Sequence, residues 1–414
     1  MGPAAKARWR PRIQGSGFSA MARKAARKTA GRNAIAKRSA GNKAPAKTKV
    51  KAKAKATSKA SAKVPARTKP AIAARDPKPP ANPALIEVTR GEMVESRHRI
   101  AVAVVDAGGK LVESWGDIER PIYGRSAVKP LQALPLLETG AADAFALGEP
   151  EIALACASHN GEPQHTDRVR HWLGRIGCDV TDLECGAHLP LHEPTMLQLI
   201  ANGGDVTAIY NNCSGKHAGF LTTARHEGEP TRGYIRFEHP VQQRVTKAMS
   251  EMTGVDLARA PRGIDGCGIP VLGMPLRAMA HGLARMADPR KLSADRANAC
   301  KRILAAIMAW PALLGGTGRF GSTLMATLRG RFVLKGGAEG VYAGILPSLG
   351  LGVAIKADDG AGRAAEVAMA QTLRRLKLIS TAEAKQLADL LMPPVLNRAH
   401  LEVGRIRSTG EGRF

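Results

Sequence analysis

Two β-prone regions flank a long helical stretch, and this separation limits the fold more than any other feature of the chain. From Arg99 the sequence reads RIAVAVVDAGGKLVESWG, two apolar and β-branched runs around Asp106-Ala-Gly-Gly, a hairpin signal. Far downstream, STLMATLRGRFVLKGGAEGVYAGILPSLGLGVAIKAD alternates short apolar runs with glycine-rich turns, predicting at least three antiparallel strands. Between them, apolar residues at helical spacing predict helices over 127–138, 163–176, 214–225, 239–253, 270–287 and 293–309. Two more are expected over 361–377 and 381–392. The two strand regions are expected to join in one antiparallel sheet with helices on its faces. That is an α+β fold, a three-layer α/β sandwich. No glycine-rich phosphate loop follows a strand, so a nucleotide-binding fold is unsupported.

Charge divides the chain. Its 414 residues carry a net charge of +27, but residues 1–83 alone hold 23 Lys/Arg against one acid, Asp76. The remainder has 39 basic and 34 acidic residues and is nearly neutral. Short Ala/Lys/Pro/Thr repeats in the first part bury too little apolar surface to offset ordering entropy, so 1–83 is expected to be a disordered tail and 84–414 the catalytic body. Such an arm binds phosphate backbones without sequence preference, which makes nucleic acid an expected partner of the tail alone. Met21 offers a second start within it. No apolar export core and no run long enough to span a membrane are visible, so a cytoplasmic enzyme without membrane attachment is expected.

The chemistry-bearing residues fall into ordered motifs. Gly-Arg-Ser126-Ala-Val-Lys129 places a hydroxyl and an amine three residues apart, on one face of a helix start. A buried lysine made neutral can take the serine proton, and the helix N-terminus favours the alkoxide. Ser126 is therefore the favoured nucleophile, although sequence leaves the choice of serine open. Ser158-His159-Asn160 and Lys335-Gly336-Gly337 follow. The order S-x-x-K, S-x-N, K-x-G is that of serine β-lactamases and penicillin-binding proteins, with glycine at the middle of the third motif as its weakest match. A second pair, Ser158 with Lys335, is expected to face the first.

A further cluster combines Cys213-x-x-Lys216-His217 with Asp265-Gly-Cys267. Two thiols form half of a soft zinc site, with Lys216 or His217 nearby; the plainer alternative is two packed thiols and a helix cap. Cys156, Cys178, Cys185 and Cys300 lack metal spacing and are expected to be reduced thiols. His165, His171, His188 and His192 are expected at the surface or in loops. The methionines at 274, 279 and 286 are expected in the core, and GGTGRFGSTLM is expected to be a mobile connection.

RSAVKPLQ, CASHNGE, NNCSGKH, GIDGCGIP and KGGAEGVYAG together resemble the second bacterial L-asparaginase type, the Rhizobium etli kind, from about Thr89 to Ile379. The resemblance implies a homodimer with a β-lactamase-like fold that hydrolyses L-asparagine to aspartate and ammonia. It implies catalytic roles for Ser126, Lys129, Ser158 and Lys335, and one zinc per subunit held by Cys213, Lys216 and Cys267. It also implies that Arg125, His217 and Asp265 line the substrate pocket. Two alternatives remain: another serine acyl hydrolase of that fold (a β-lactamase, transpeptidase or esterase), or a histone-like DNA-associating protein acting through its tail.

Overall fold

The computed structural model describes residues 81–410 and Phe414. The basic tail lies outside these residues except for its last three. Of those, Asn82 is buried and accepts from the Asp117 N–H at 2.6 Å, and its amide donates to Asp358 at 2.9 Å.

Twelve strands are present among the described residues: β1 (Ile86–Arg90), β2 (Met93–His98), β3 (Ile100–Asp106), β4 (Leu111–Trp115), β5 (Pro121–Tyr123), β6 (Arg262–Ile264), β7 (Pro270–Pro275), β8 (Val333–Gly337), β9 (Val341–Leu346), β10 (Leu351–Ala357), β11 (Pro394–Leu396) and β12 (Glu402–Ser408). The expected sheet from both chain ends is there, as five antiparallel strands in the order β4-β3-β10-β9-β8. Its centre is apolar on both faces: Ile100–Val105 of β3 are all buried, as a strand covered on two sides requires. The helix Leu276–Ala287 covers one face. Gly352 of β10 makes this possible, because a Cβ there would lie 2.1 Å from the Ala280 carbonyl oxygen. Met369, of the helix Gly362–Arg375, lies over Gly344 on the opposite face.

The structure departs from the sequence reading in several places, and the helix expected over 127–138 is a 3-10 turn followed by two short helices, Lys129–Gln132 and Leu134–Glu138. A second antiparallel sheet, β11-β12-β1-β2, uses segments for which no strand was expected, and β1 and β12 also pack on the 362–375 helix. The helix expected from 270 begins at Leu276, because residues 270–275 form β7. Prolines at both ends of that segment remove ladder donors, and β5 and β6 pair on either side of it. The run FGSTLMAT, read from Ser322 as the first of the late strands, is the helix Phe320–Thr327; three strands follow it.

The small sheet β5-β7-β6 positions the site. Through the central β7 it links β5, which leads into the turn carrying Ser126, to β6, which leads into the loop carrying Asp265 and Cys267.

Candidate active site

Ser126 lies in the 3-10 turn Arg125–Val128, and Lys129 opens the helix that follows. Arg125 adopts φ +47°, a left-handed conformation that costs a non-glycine residue about 1–3 kcal/mol. Its guanidinium holds this geometry: Nε donates to Asp265 Oδ1 at 2.9 Å, and Nη2 forms an ion pair with the same oxygen at 2.9 Å. Burial raises the Asp265 pKa, but Lys216, Arg125 and the Gly266 N–H outweigh it and hold the carboxyl below its usual range. Arg125 and Asp265 thus satisfy each other, tying the Ser126 turn to the Cys267 loop.

The structure brings Lys129 to Ser158 instead of Ser126. Lys129 Nζ, almost fully buried, donates to the Ala157 carbonyl, to Ser158 Oγ at 3.0 Å and to Cys213 Sγ at 3.1 Å. An ammonium has three N–H groups, and here each has an acceptor. Lys335 Nζ approaches the same hydroxyl from β8, at 2.8 Å from Ser158 Oγ and 2.6 Å from the Gly336 carbonyl. Burial pushes Lys335 well below the ordinary lysine range, and the neighbouring Lys129 pushes it further. Ser158 Oγ therefore sits between one lysine saturated as a donor and another driven towards the neutral form. The Ser126 hydroxyl has no hydrogen-bond partner among the described residues. Glycine at 336 fits its setting, since a Cβ there would press on the Tyr342 ring at 3.1 Å.

The thiol cluster rests on the helix Ser214–His226, whose residues Ser214–Ala224 are all buried. Gly215 lets it approach the helix Glu149–Ala155 closely, because a Cβ would fall 2.4 Å from the Leu154 carbonyl. This contact sets Cys213 against Lys129. Lys216 Nζ donates to Cys267 Sγ at 2.9 Å. The hydrogen bond from Cys213 pulls the Cys267 thiol down to about 5, Lys216 assisting against burial, whereas Cys213 is pushed up to about 11 by that bond and by burial. Burial opposes charge on Lys216, but the two cysteines outweigh it and raise its pKa. Two sulfurs and an amine converge, a donor set suited to zinc once Lys216 gives up its proton. Among the described residues no group of three or more His, Cys, Asp or Glu side chains converges.

His217 is fully buried. Tyr234 accepts the Glu184 N–H at 2.9 Å, and its hydroxyl shares a hydrogen bond with His217 Nδ1 at 2.8 Å. His217 Nε2 has no partner. Burial and Lys216 hold this imidazole neutral.

The other histidines divide. His171 is exposed, and His188 and His192 are half-buried. His165, expected at the surface, is fully buried, 3.1 Å from the Ala312 carbonyl and stacked on His159 at 5.0 Å. The apolar Val169, Trp172 and Leu173 on the same helix share its buried face, a 3.6-residue pattern that signalled this burial. The three methionines are in the core, and all six cysteines are free. Sequence reasoning missed Arg319, Ser322, Tyr342 and Glu366, which line a cavity beside Ser158 and Lys335. Arg319 and Ser322 lie in the stretch taken for a mobile connection, and Glu366 in an ordinary amphipathic helix.

Fold and site together describe a serine hydroxyl held between two lysines on an α+β scaffold. The chain belongs to the L-asparaginase II family, whose model matches residues 86–408. No curated relative matches the sequence. Solved structures similar to it include Mglu in its native form, at 12% identity and TM-score 0.41, covering 67% of this chain and 64% of that one. A β-lactamase from Mycobacterium bovis has 15% identity and TM-score 0.33 over 70% of this chain and 95% of its own. A D-alanine carboxypeptidase from Burkholderia cenocepacia has 12% identity and TM-score 0.32 over 63% and 88%. The chain thus spans about two thirds of Mglu and most of the other two.

Proposed function

We propose that this protein hydrolyses L-asparagine to L-aspartate and ammonia, with Ser158 as the nucleophile. The observation that carries this reading is the Ser158 hydroxyl within 3.0 Å of both lysine amines. Neutral Lys335 takes the hydroxyl proton as Oγ attacks the side-chain amide carbon. Lys129 Nζ, fixed by its other two acceptors, donates towards Oγ and stabilises the charge that develops there. The tetrahedral intermediate collapses, the C–N bond breaks, and the proton on Lys335 leaves with ammonia. Water then cleaves the aspartyl ester in the reverse proton sequence, freeing aspartate and Ser158. Ser126, on the turn beside β8, carries an unengaged hydroxyl suited to relay protons to the leaving group. The direct substrate contacts expected of Arg125 and Asp265 become a positioning role, because each already neutralises the other. Zinc on Cys213, Lys216 and Cys267 would supply positive charge beside Lys129 and the substrate.

The homodimer belongs to this proposal. The helix Glu193–Ala201 buries none of its residues and leaves Leu197 and Ile200 more than half exposed, a surface that a second copy would cover. So do cytoplasmic location and nucleic-acid contact through the tail. Among the described residues no helix is long and apolar enough to cross a membrane.

The test is ammonia release from asparagine by the purified chain, beside hydrolysis of a chromogenic β-lactam. Ser158→Ala is expected to lose activity by about a thousandfold or more. A wild type that opens the β-lactam and leaves asparagine intact sinks the asparaginase reading; a near-normal Ser158→Ala sinks the choice of nucleophile.

A further inference from the structure

Beside Ser158 and Lys335 lies a cavity of about 40 Å³, bordered also by Arg319, Ser322, Tyr342 and Glu366. It accommodates about three water-sized groups, enough for the polar end of a small ligand. Two of its borders carry opposite charge. Arg319 stands just before the helix Phe320–Thr327, and Glu366 projects from the first half of the helix Gly362–Arg375.

These two side chains do not pair with each other, and neither has a side-chain hydrogen-bond partner among the described residues. They differ in this from Arg125 and Asp265, each already engaged by the other. A half-buried carboxylate without a partner carries a desolvation cost that a ligand cation would relieve. Burial raises the Glu366 pKa and Arg319 opposes that rise, so each feels the other across the gap without contact. The N-terminal end of the 320–327 helix adds positive potential on the side of Arg319. A cation and an anion held apart across a small space complement a ligand with an ammonium and a carboxylate on one carbon. Ser158 on the same border places the reacting amide next to that zwitterion.

We propose that Arg319 and Glu366 form the subsite that recognises the α-amino-acid end of the substrate, Arg319 taking the α-carboxylate and Glu366 the α-ammonium. The proposal rests on the amidase reading of Ser158 and adds the determinant of substrate class: free α-amino acids bearing a side-chain amide. Peptide-bound asparagine, which lacks both charges, is excluded.

The experiment compares wild type, Arg319→Gln and Glu366→Gln on three amides. These are asparagine, succinamate (no α-amino group) and 3-aminopropanamide (no α-carboxylate). Removing one charged contact is expected to lower kcat/KM by about ten- to a hundredfold. Glu366→Gln should lose this on asparagine and 3-aminopropanamide, with succinamate within twofold of the wild-type rate. Arg319→Gln should lose it on asparagine and succinamate, sparing 3-aminopropanamide. Glu366→Asp, which keeps the charge, should recover part of the loss. Equal losses on all three amides, or unchanged turnover of asparagine, overturn the proposal. Calorimetric binding of L-aspartate reads the subsite without turnover. A wild type that binds aspartate through Arg319 and Glu366 yet releases no ammonia from asparagine removes the asparaginase reading and leaves the subsite. A wild type that turns over asparagine with both variants unchanged does the reverse.

Discussion

At the scale of single residues, the chemistry turns on two lysines around one hydroxyl, one of them driven towards its neutral form. Lys335 is depressed by burial and by Lys129, so its neutral form is present above a pKa well under the ordinary lysine value. Activity should therefore rise as pH passes upward through that lowered value, giving an acid limb far below the usual lysine range. A kcat/KM profile of wild type should show this limb, and Lys335→Met should lose it together with about a hundred- to ten-thousandfold in rate. A profile flat down to the ordinary carboxylate range would remove Lys335 as the base. For the metal, elemental analysis of wild type and Cys213→Ala is expected to find zinc in the first and markedly less in the second; equal zinc in both strikes Cys213 from the ligands. The participating residue types were legible in the sequence, but their partnerships were not. Spacing along a helix puts Lys129 within reach of Ser126. What decides its partner is the approach of the 214–226 helix through Gly215, which sets Cys213, Ser158 and the Ala157 carbonyl around the amine. The charges of Arg319 and Glu366, 47 positions apart, gave no local signal of a shared cavity.

Among the elements, the central sheet was readable because Ile100–Val105 of β3 and Leu351–Ile355 of β10 are continuous apolar runs, as strands buried on both faces require. The outer sheet was not. β2 and β12 mix charged and apolar residues over a few positions, and the β1–β12 pairing that joins the sheet spans more than 300 residues. The same dependence on close packing gives a prediction at Gly352. Alanine there must displace the backbone of the 276–287 helix at Ala280, and overpacking of this kind costs about 1–3 kcal/mol. Chemical denaturation should show a lower midpoint with an unchanged slope. An unaltered midpoint would mean that the helix does not press on β10 as described.

Across the whole molecule, the two chain ends close the fold together. Deleting residues 394–414 removes β11 and β12, strips β1 of one neighbour and uncovers part of the 362–375 helix. The shortened protein is expected to unfold at clearly lower denaturant, the loss of each buried Val, Ile or Leu contact set costing about 1.5–3 kcal/mol. A wild-type midpoint would show the outer sheet to be dispensable. At the other end, removing residues 1–80 should abolish DNA binding at moderate salt and leave ammonia release intact; activity lost with the tail would contradict the division of the chain.

The pairing of β3 with β10 joins residues about 250 positions apart, and this has a consequence for biogenesis. During synthesis, Ile100–Val105 leaves the ribosome long before its partner strand exists. At about 5–20 residues per second, this apolar, uncharged run waits tens of seconds with open edges. A hexapeptide of that composition self-associates readily when exposed. Yield in a cell should thus depend on chaperone supply during translation, and slow codons placed between residues 110 and 340 should lower it.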